Sequence, residues 1–147
     1  MFTSILVGTD GSETANEAVR QAVGLASNLG AKLQIVSAYE PVPAQRLAEE
    51  RRQAPEDLQW TISPREDIDV TLAAAAELAQ QSDVAVETYA RQGDPADAIL
   101  DVAEEQGSDL VIVGNKGMTG AKRFLLGSVP NKVSHHAPCS VLIIRTT

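Results

Sequence analysis

The segment DLVIVGNKG, residues 109–117, carries four consecutive aliphatic residues, Leu110 to Val113, into a turn containing Gly114 and Gly117. Four apolar residues in a row leave neither face of a pleated strand polar, and this is the pattern of a strand covered on both sides, as in a parallel sheet. Asp109 to Gly114 is the most continuous apolar run in the chain, which predicts a central place for it. Outward from it lie four further strand signals. SILVGT (residues 4–9) is a β-branched apolar run stopped by Asp10, Gly11 and Ser12. KLQIVSAY (32–39) and SVLIIR (140–145) are of the same kind. Val84 to Ala90 instead alternates, which suits an edge.

The intervening segments change period from two to about 3.6. Ser12 is placed to cap a helix with Ala15, Ala18, Val19, Ala22, Ala26 and Leu29 on its apolar face, and Gly30 suits its end. Ser63, Pro64 and Glu66 form a capping box with proline at the first helical position. They open a helix with Ile68, Leu72, Ala75, Ala76 and Ala79 inward, expected to end near Ser82. Asp94, Pro95 and Asp97 open another, with Ala98, Ile99, Val102 and Ala103 inward and Gly107 as its stop. A short helix is expected from about Ser128 to His136. Between Glu40 and Ile62 the pattern dissolves around Pro41, Pro43 and Pro55, predicting a long loop.

Strands and helices thus alternate β-α-β-α-β-α-β-α-β, which predicts a doubly wound α/β domain with five parallel strands joined by right-handed crossovers. At 147 residues the chain fits a single domain, residues 1–147. No apolar run approaches the roughly 18 residues of a membrane span. Met1 to Gly8 reads as a strand rather than a secretory leader, and the single cysteine, Cys139, rules out an internal disulfide framework. A cytoplasmic location is the expectation.

The net charge is −8, from 12 basic and 20 acidic residues, which argues against nucleic acid or an anionic membrane as partner. The charge is unevenly spread. Gly114 to Thr147 holds Lys116, Lys122, Arg123, Lys132 and Arg145 and no acidic residue. Either the fold balances charge internally, or a small anion binds near the start of this tail.

In doubly wound sheets, ligands bind outside the carboxyl ends of the strands. The chain places its unusual residues there. Gly114-Asn115-Lys116-Gly117, followed by Gly127-Ser128, has the form G-x2-G-x9-G-[ST]. Glycines at Gly114 and Gly117 permit close backbone approach, and Gly127 with Ser128 opens a helix whose free N–H groups suit an anion. The Ser128 hydroxyl can cap that helix or bond a phosphate oxygen. No P-loop, G-x-G-x-x-G, G-x-S-x-G, H-E-x-x-H or zinc-type cysteine spacing occurs.

The opening ILVGTDGSETANEAV (5–19), the strand DLVIVGNKG and the closing LLGSVPNKVSHHAPCSVLII (125–144) resemble the universal stress protein family from end to end. The glycine motif is similar to that of the family's ATP-binding branch. The resemblance implies an adenine nucleotide α-hydrolase-like, Rossmann-like sheet in the order 3-2-1-4-5. It implies that Thr9 and Asp10 face the ribose or adenine and that Ala38 presents backbone groups to the adenine edge. Val113 and Gly114 would line base and ribose, and Gly117 would pass beneath the phosphates. Gly127, Ser128 and Val129 would donate to them, with Lys116 at a variable position of the motif. The implied protein is a stress-response module that binds ATP, with Mg²⁺ accompanying the triphosphate, and responds to it by regulation. Cyclic AMP or AMP is the alternative ligand. A slow ATP hydrolase or phosphotransferase is the alternative activity, with no catalytic residue identified. The resemblance also implies homodimers through the final strand, and the apolar run Val141 to Ile144, expected at a sheet edge, independently suggests the same pairing.

Simpler readings stand beside these. Asp10 before Gly11 suits a turn or cap; His135 and His136 suit a helix C-terminus better than a metal. Cys139 suits a small buried hydrophobe. Tyr39 and Trp60 suit a core or loop anchor better than a site rim, and Lys122 and Arg123 suit phosphate attraction and plain surface charge equally.

Overall fold

The computed structural model describes residues 1–39, 64–115 and 127–146. Among them the elements are β1 (Ser4–Gly8), α1 (Glu13–Leu29), β2 (Lys32–Tyr39), α2 (Pro64–Gln81), β3 (Val86–Gln92), α3 (Pro95–Gln106), β4 (Leu110–Gly114), α4 (Ser128–His136) and β5 (Ser140–Ile144). Every strand pairing is parallel. The sheet order is β3-β2-β1-β4-β5, as the resemblance implied. The long loop predicted for 40–62, with Trp60 in it, and the capping residue Ser63 lie outside the described residues.

The continuous apolar runs divide residue by residue between two cores. Ile5 and Val7 of β1, with Leu110 and Ile112 of β4, face α1 and α2 through Val19, Ala22, Leu72 and Ala79. Leu6, Val111 and Val113 face the other way, against Ile99 and Val102 of α3 and Val129 and Val133 of α4. Each such aliphatic side chain withdrawn from water contributes roughly 1.5–3 kcal/mol. This two-sided burial is why the strands show no polar alternation.

β4 is interior, but β1 is the middle strand. Apolar continuity does not rank the interior strands among themselves, and β5, equally continuous from Val141 to Ile144, lies at an edge. The expected edge positions of β3 and β5 are both found. β3 begins two residues later than predicted, because Val84 closes the preceding helix. Its N–H donates to the Ala79 carbonyl at 3.0 Å, beside Asp83 in the left-handed region at φ 57°. β5 stops at Ile144, one residue early, because the next inward-facing amide, that of Thr146, is taken by the Asn115 side chain at 2.9 Å.

Helix boundaries follow the expected chemistry. The Ser12 hydroxyl accepts the Ala15 N–H, and Gly30 closes α1 at φ 66°. Asp94 accepts the Asp97 N–H, Pro95 follows at the first turn, and Gly107 closes α3 at φ 62°. At the amino end of the sheet, Asp109 accepts the N–H groups of Thr3 and Ser4 at 2.9 and 3.0 Å and the Thr3 hydroxyl at 3.1 Å. No helix among the described residues is long and apolar enough to cross a membrane.

Candidate functional site at the carboxyl ends of the strands

β1 delivers Thr9 and Asp10 to the carboxyl edge of the sheet. Thr9 is fully buried. Its N–H donates to Val36 O at 3.0 Å, its carbonyl accepts the Ser37 hydroxyl at 2.6 Å, and its own hydroxyl oxygen accepts the Gly11 N–H at 3.1 Å. Thr9 thus fastens β1 to β2 and shapes the turn. Asp10 is half-buried, and its Oδ1 accepts the Ser12 N–H at 2.9 Å, an Asx turn leading into α1. Gly11 takes φ 83°, and a Cβ there would lie 2.9 Å from the Thr71 hydroxyl of α2.

Ala38 and Tyr39 end β2 half-buried, on the far side of β1 from β4. Val113 and Gly114 end β4, the first buried and the second half-buried. Lys116 and Gly117 lie outside the described residues, as do Lys122 and Arg123.

α4 starts differently from α1 and α3. Gly127 is its N-cap, at φ −64° and ψ 164°, with no side-chain acceptor for the first turn. Ser128 therefore occupies the first helical position, exposed, and is not the cap that one sequence reading allowed. A serine caps only from the residue before the first helical one, and glycine holds that place. Among the described residues, no side chain caps the leading amides of α4, those of Ser128 and Val129. Val129 behind them is buried.

These pieces meet at a crevice of about 20 Å³ lined by Gly8, Thr14, Ala15, Val113, Gly114, Val129 and Thr146. Of the sequence-predicted residues, Val113, Gly114 and Val129 line it, and Gly127 and Ser128 adjoin Val129. Thr9 and Asp10 follow the lining residue Gly8, while Ala38 stands one strand further away. The sequence reading missed Gly8, Thr14, Ala15 and Thr146. Topology marks the first three, since the turn after β1 leads at once into α1. Thr146 carries no local signal and becomes visible only through the β4–β5 register, which pairs Gly114 with Ile144.

None of the described lining side chains is acidic. The basic tail resolves in part into internal balance: Lys132 Nζ lies 2.7 Å from Asp97 Oδ1 and 3.6 Å from Asp94 Oδ2. The hydrogen bond to Asp97 is the main reason its pKa is raised. His135 and His136 are exposed in the last turn of α4. Among the described residues no three His, Cys, Asp or Glu side chains gather as metal ligands would. Cys139 is partly buried against the α3–α4 core, and burial, then the charge of Asp109, pushes its thiol pKa up.

A parallel sheet in this order, with helices on both faces and its crevice at the carboxyl ends of the strands, defines a doubly wound α/β protein. A model of the universal stress protein family matches residues 1–145, and the chain belongs to that family. It is 37% identical to the universal stress protein Rv1636 of Mycobacterium tuberculosis, over 99% of this chain and 98% of that one. It is 36% identical to YxiE of Bacillus subtilis, over 99% and 100%. Among solved structures, a universal stress protein in complex with cAMP superposes with a TM-score of 0.73 at 31% identity, covering 99% of this chain and 98% of the other.

Proposed function

We propose that this protein is a regulatory module that binds an adenine nucleotide at the carboxyl ends of β1 and β4, its phosphate at the head of α4. The observation that carries this reading is the first turn of α4, which no described side chain caps, beside a crevice whose described lining is free of acidic side chains. Amides of that kind are stabilised by an anion through hydrogen bonds and the helix dipole together. A crevice of about 20 Å³ holds one group of a ligand, so the remainder lies along the strand ends, where Asp10 and Ala38 stand.

A cyclic or simple adenosine monophosphate is the first candidate, supported by the cAMP complex of a relative 31% identical. ATP is the second, supported by the G-x2-G-x9-G-S spacing from Gly114 to Ser128. Mg²⁺ would then arrive on the triphosphate, since the crevice lining supplies no carboxylate. The protein acts in the cytoplasm as a homodimer joined through β5, a reading supported by the open edge of that strand.

The test is calorimetric titration of nucleotide-stripped protein with cAMP, AMP, ATP and GTP. Binding of at least one adenine compound well above GTP is expected, and Gly114→Val, whose side chain would enter the crevice lining, should weaken it. Absence of binding, or equal affinity for GTP, would overturn the proposal.

A further inference from the structure

β4, β5 and α4 meet at Asn115, which bonds through its backbone and its side chain. Its N–H donates to the Ile144 carbonyl at 2.9 Å, and its carbonyl accepts the Gly127 N–H at 3.0 Å. Its Oδ1 accepts both the N–H and the hydroxyl of Thr146, at 2.9 and 3.1 Å. One residue thereby fixes the cap of α4 and the segment following β5.

The side-chain half of this arrangement bears on the crevice. Thr146, so held, stands over Gly114: a Cβ on Gly114 would lie 3.5 Å from Thr146 Cγ2 and 3.7 Å from its Oγ1. Thr146 lines the crevice together with Gly114, Val129 and Thr14. The glycine motif leaves position 115 open, so its spacing does not account for an asparagine there. Two donors on one residue converge on a single oxygen, which requires an acceptor of this reach; alanine supplies none.

We propose that Asn115 is a positioning residue of the ligand site. Its Oδ1 holds the lining residue Thr146 while its carbonyl holds Gly127, two residues before the lining residue Val129, so one residue positions both segments that border the crevice. This rests on the adenine-nucleotide reading and adds to it the residue that shapes the fit. Asn115 acts through Thr146 and needs no contact with the ligand. Thr146 is half-buried, so its freed N–H finds water when the acceptor is removed, and the loss falls on binding more than on folding.

The experiment titrates the full chain with cAMP and with adenosine, comparing wild type, Asn115→Ala, Asn115→Asp, Thr146→Ala and the Asn115→Ala/Thr146→Ala pair. Two hydrogen bonds of ordinary strength predict a loss of roughly tenfold for Asn115→Ala. The double variant should be no weaker than Asn115→Ala alone, because the two residues act as one unit. Asn115→Asp keeps the acceptor and should restore binding of adenosine, which carries no charge for a carboxylate to repel. Wild-type affinity in Asn115→Ala, additive losses, or failure of Asn115→Asp to restore adenosine binding would each overturn the role of Asn115. Should Asn115→Ala not fold, unchanged binding in Thr146→Ala overturns it. A wild-type protein that binds neither ligand overturns the nucleotide reading itself.

Discussion

Lys132 of α4 reaches Asp97 of α3 at 2.7 Å, and Asp94, the cap of α3, at 3.6 Å. The pair is half exposed at each end, with side-chain exposures of 44% for Lys132 and 57% for Asp97, so water and salt weaken it. Lys132→Met should lower the melting temperature only slightly, and the difference should vanish in molar salt. Asp94→Ala, which removes a helix cap, should cost about 1 kcal/mol and persist in salt. Denaturant titrations at low and high salt separate the two.

Gly11 and Gly114 both stand at strand ends, yet their substitution should differ sharply. At φ 83°, with the Thr71 hydroxyl 2.9 Å from the added carbon, Gly11→Ala meets both strain and a clash. A loss of more than about 1 kcal/mol is expected. Adding Thr71→Ala should recover only the clash. Gly114→Ala meets Thr146 no closer than 3.5 Å and should leave stability nearly unchanged. Urea midpoints of the four proteins check this.

Partial burial by itself raises the pKa of Asp109, but donation from the Thr3 and Ser4 N–H groups and the Thr3 hydroxyl outweighs it, and the net shift is downward. A carboxylate depressed in the folded state stabilises it above the unfolded value of about 3.9, and that contribution is lost as pH falls through the folded pKa. Stability should therefore decline on acidification through and below that value. Asp109→Asn should be less stable at neutral pH, with a flatter acid limb that converges on wild type. Parallel wild-type and mutant slopes would contradict this.

Among the described residues β5 pairs on one side only, with β4, and Leu142 and Ile143 are each 38% exposed. Apolar side chains on an open edge favour a second copy. Sedimentation should give a dimer at micromolar concentration, and Leu142→Lys should shift it to monomer. A wild-type monomer would contradict the proposed assembly.

Legibility in the sequence tracked the range of the interaction. Ser12 and Gly30, or Asp94 and Gly107, announce their helices because a cap acts within a few residues of itself. The 3-2-1-4-5 order came from the family resemblance, while apolar runs alone marked β4 as central when β1 is. Ser128 resembled a cap until the structure put Gly127 there, since one residue of offset decides which side chain faces the amides. Thr146 was invisible because its place depends on a bond to a residue 31 positions earlier in the chain. Val113 and Val129 were named through the family resemblance and Gly114 through its glycine spacing as well, and the three come together along one crevice.

β4 is flanked by two side chains that act as buckles, Asp109 before it and Asn115 after it. The first secures the leading segment at the pole of the sheet remote from the crevice; the second secures the trailing segment beside it. Fusions should therefore be asymmetric in effect: an affinity handle ahead of Met1 leaves the crevice undisturbed, while one joined behind Thr147 starts one residue beyond the lining residue Thr146.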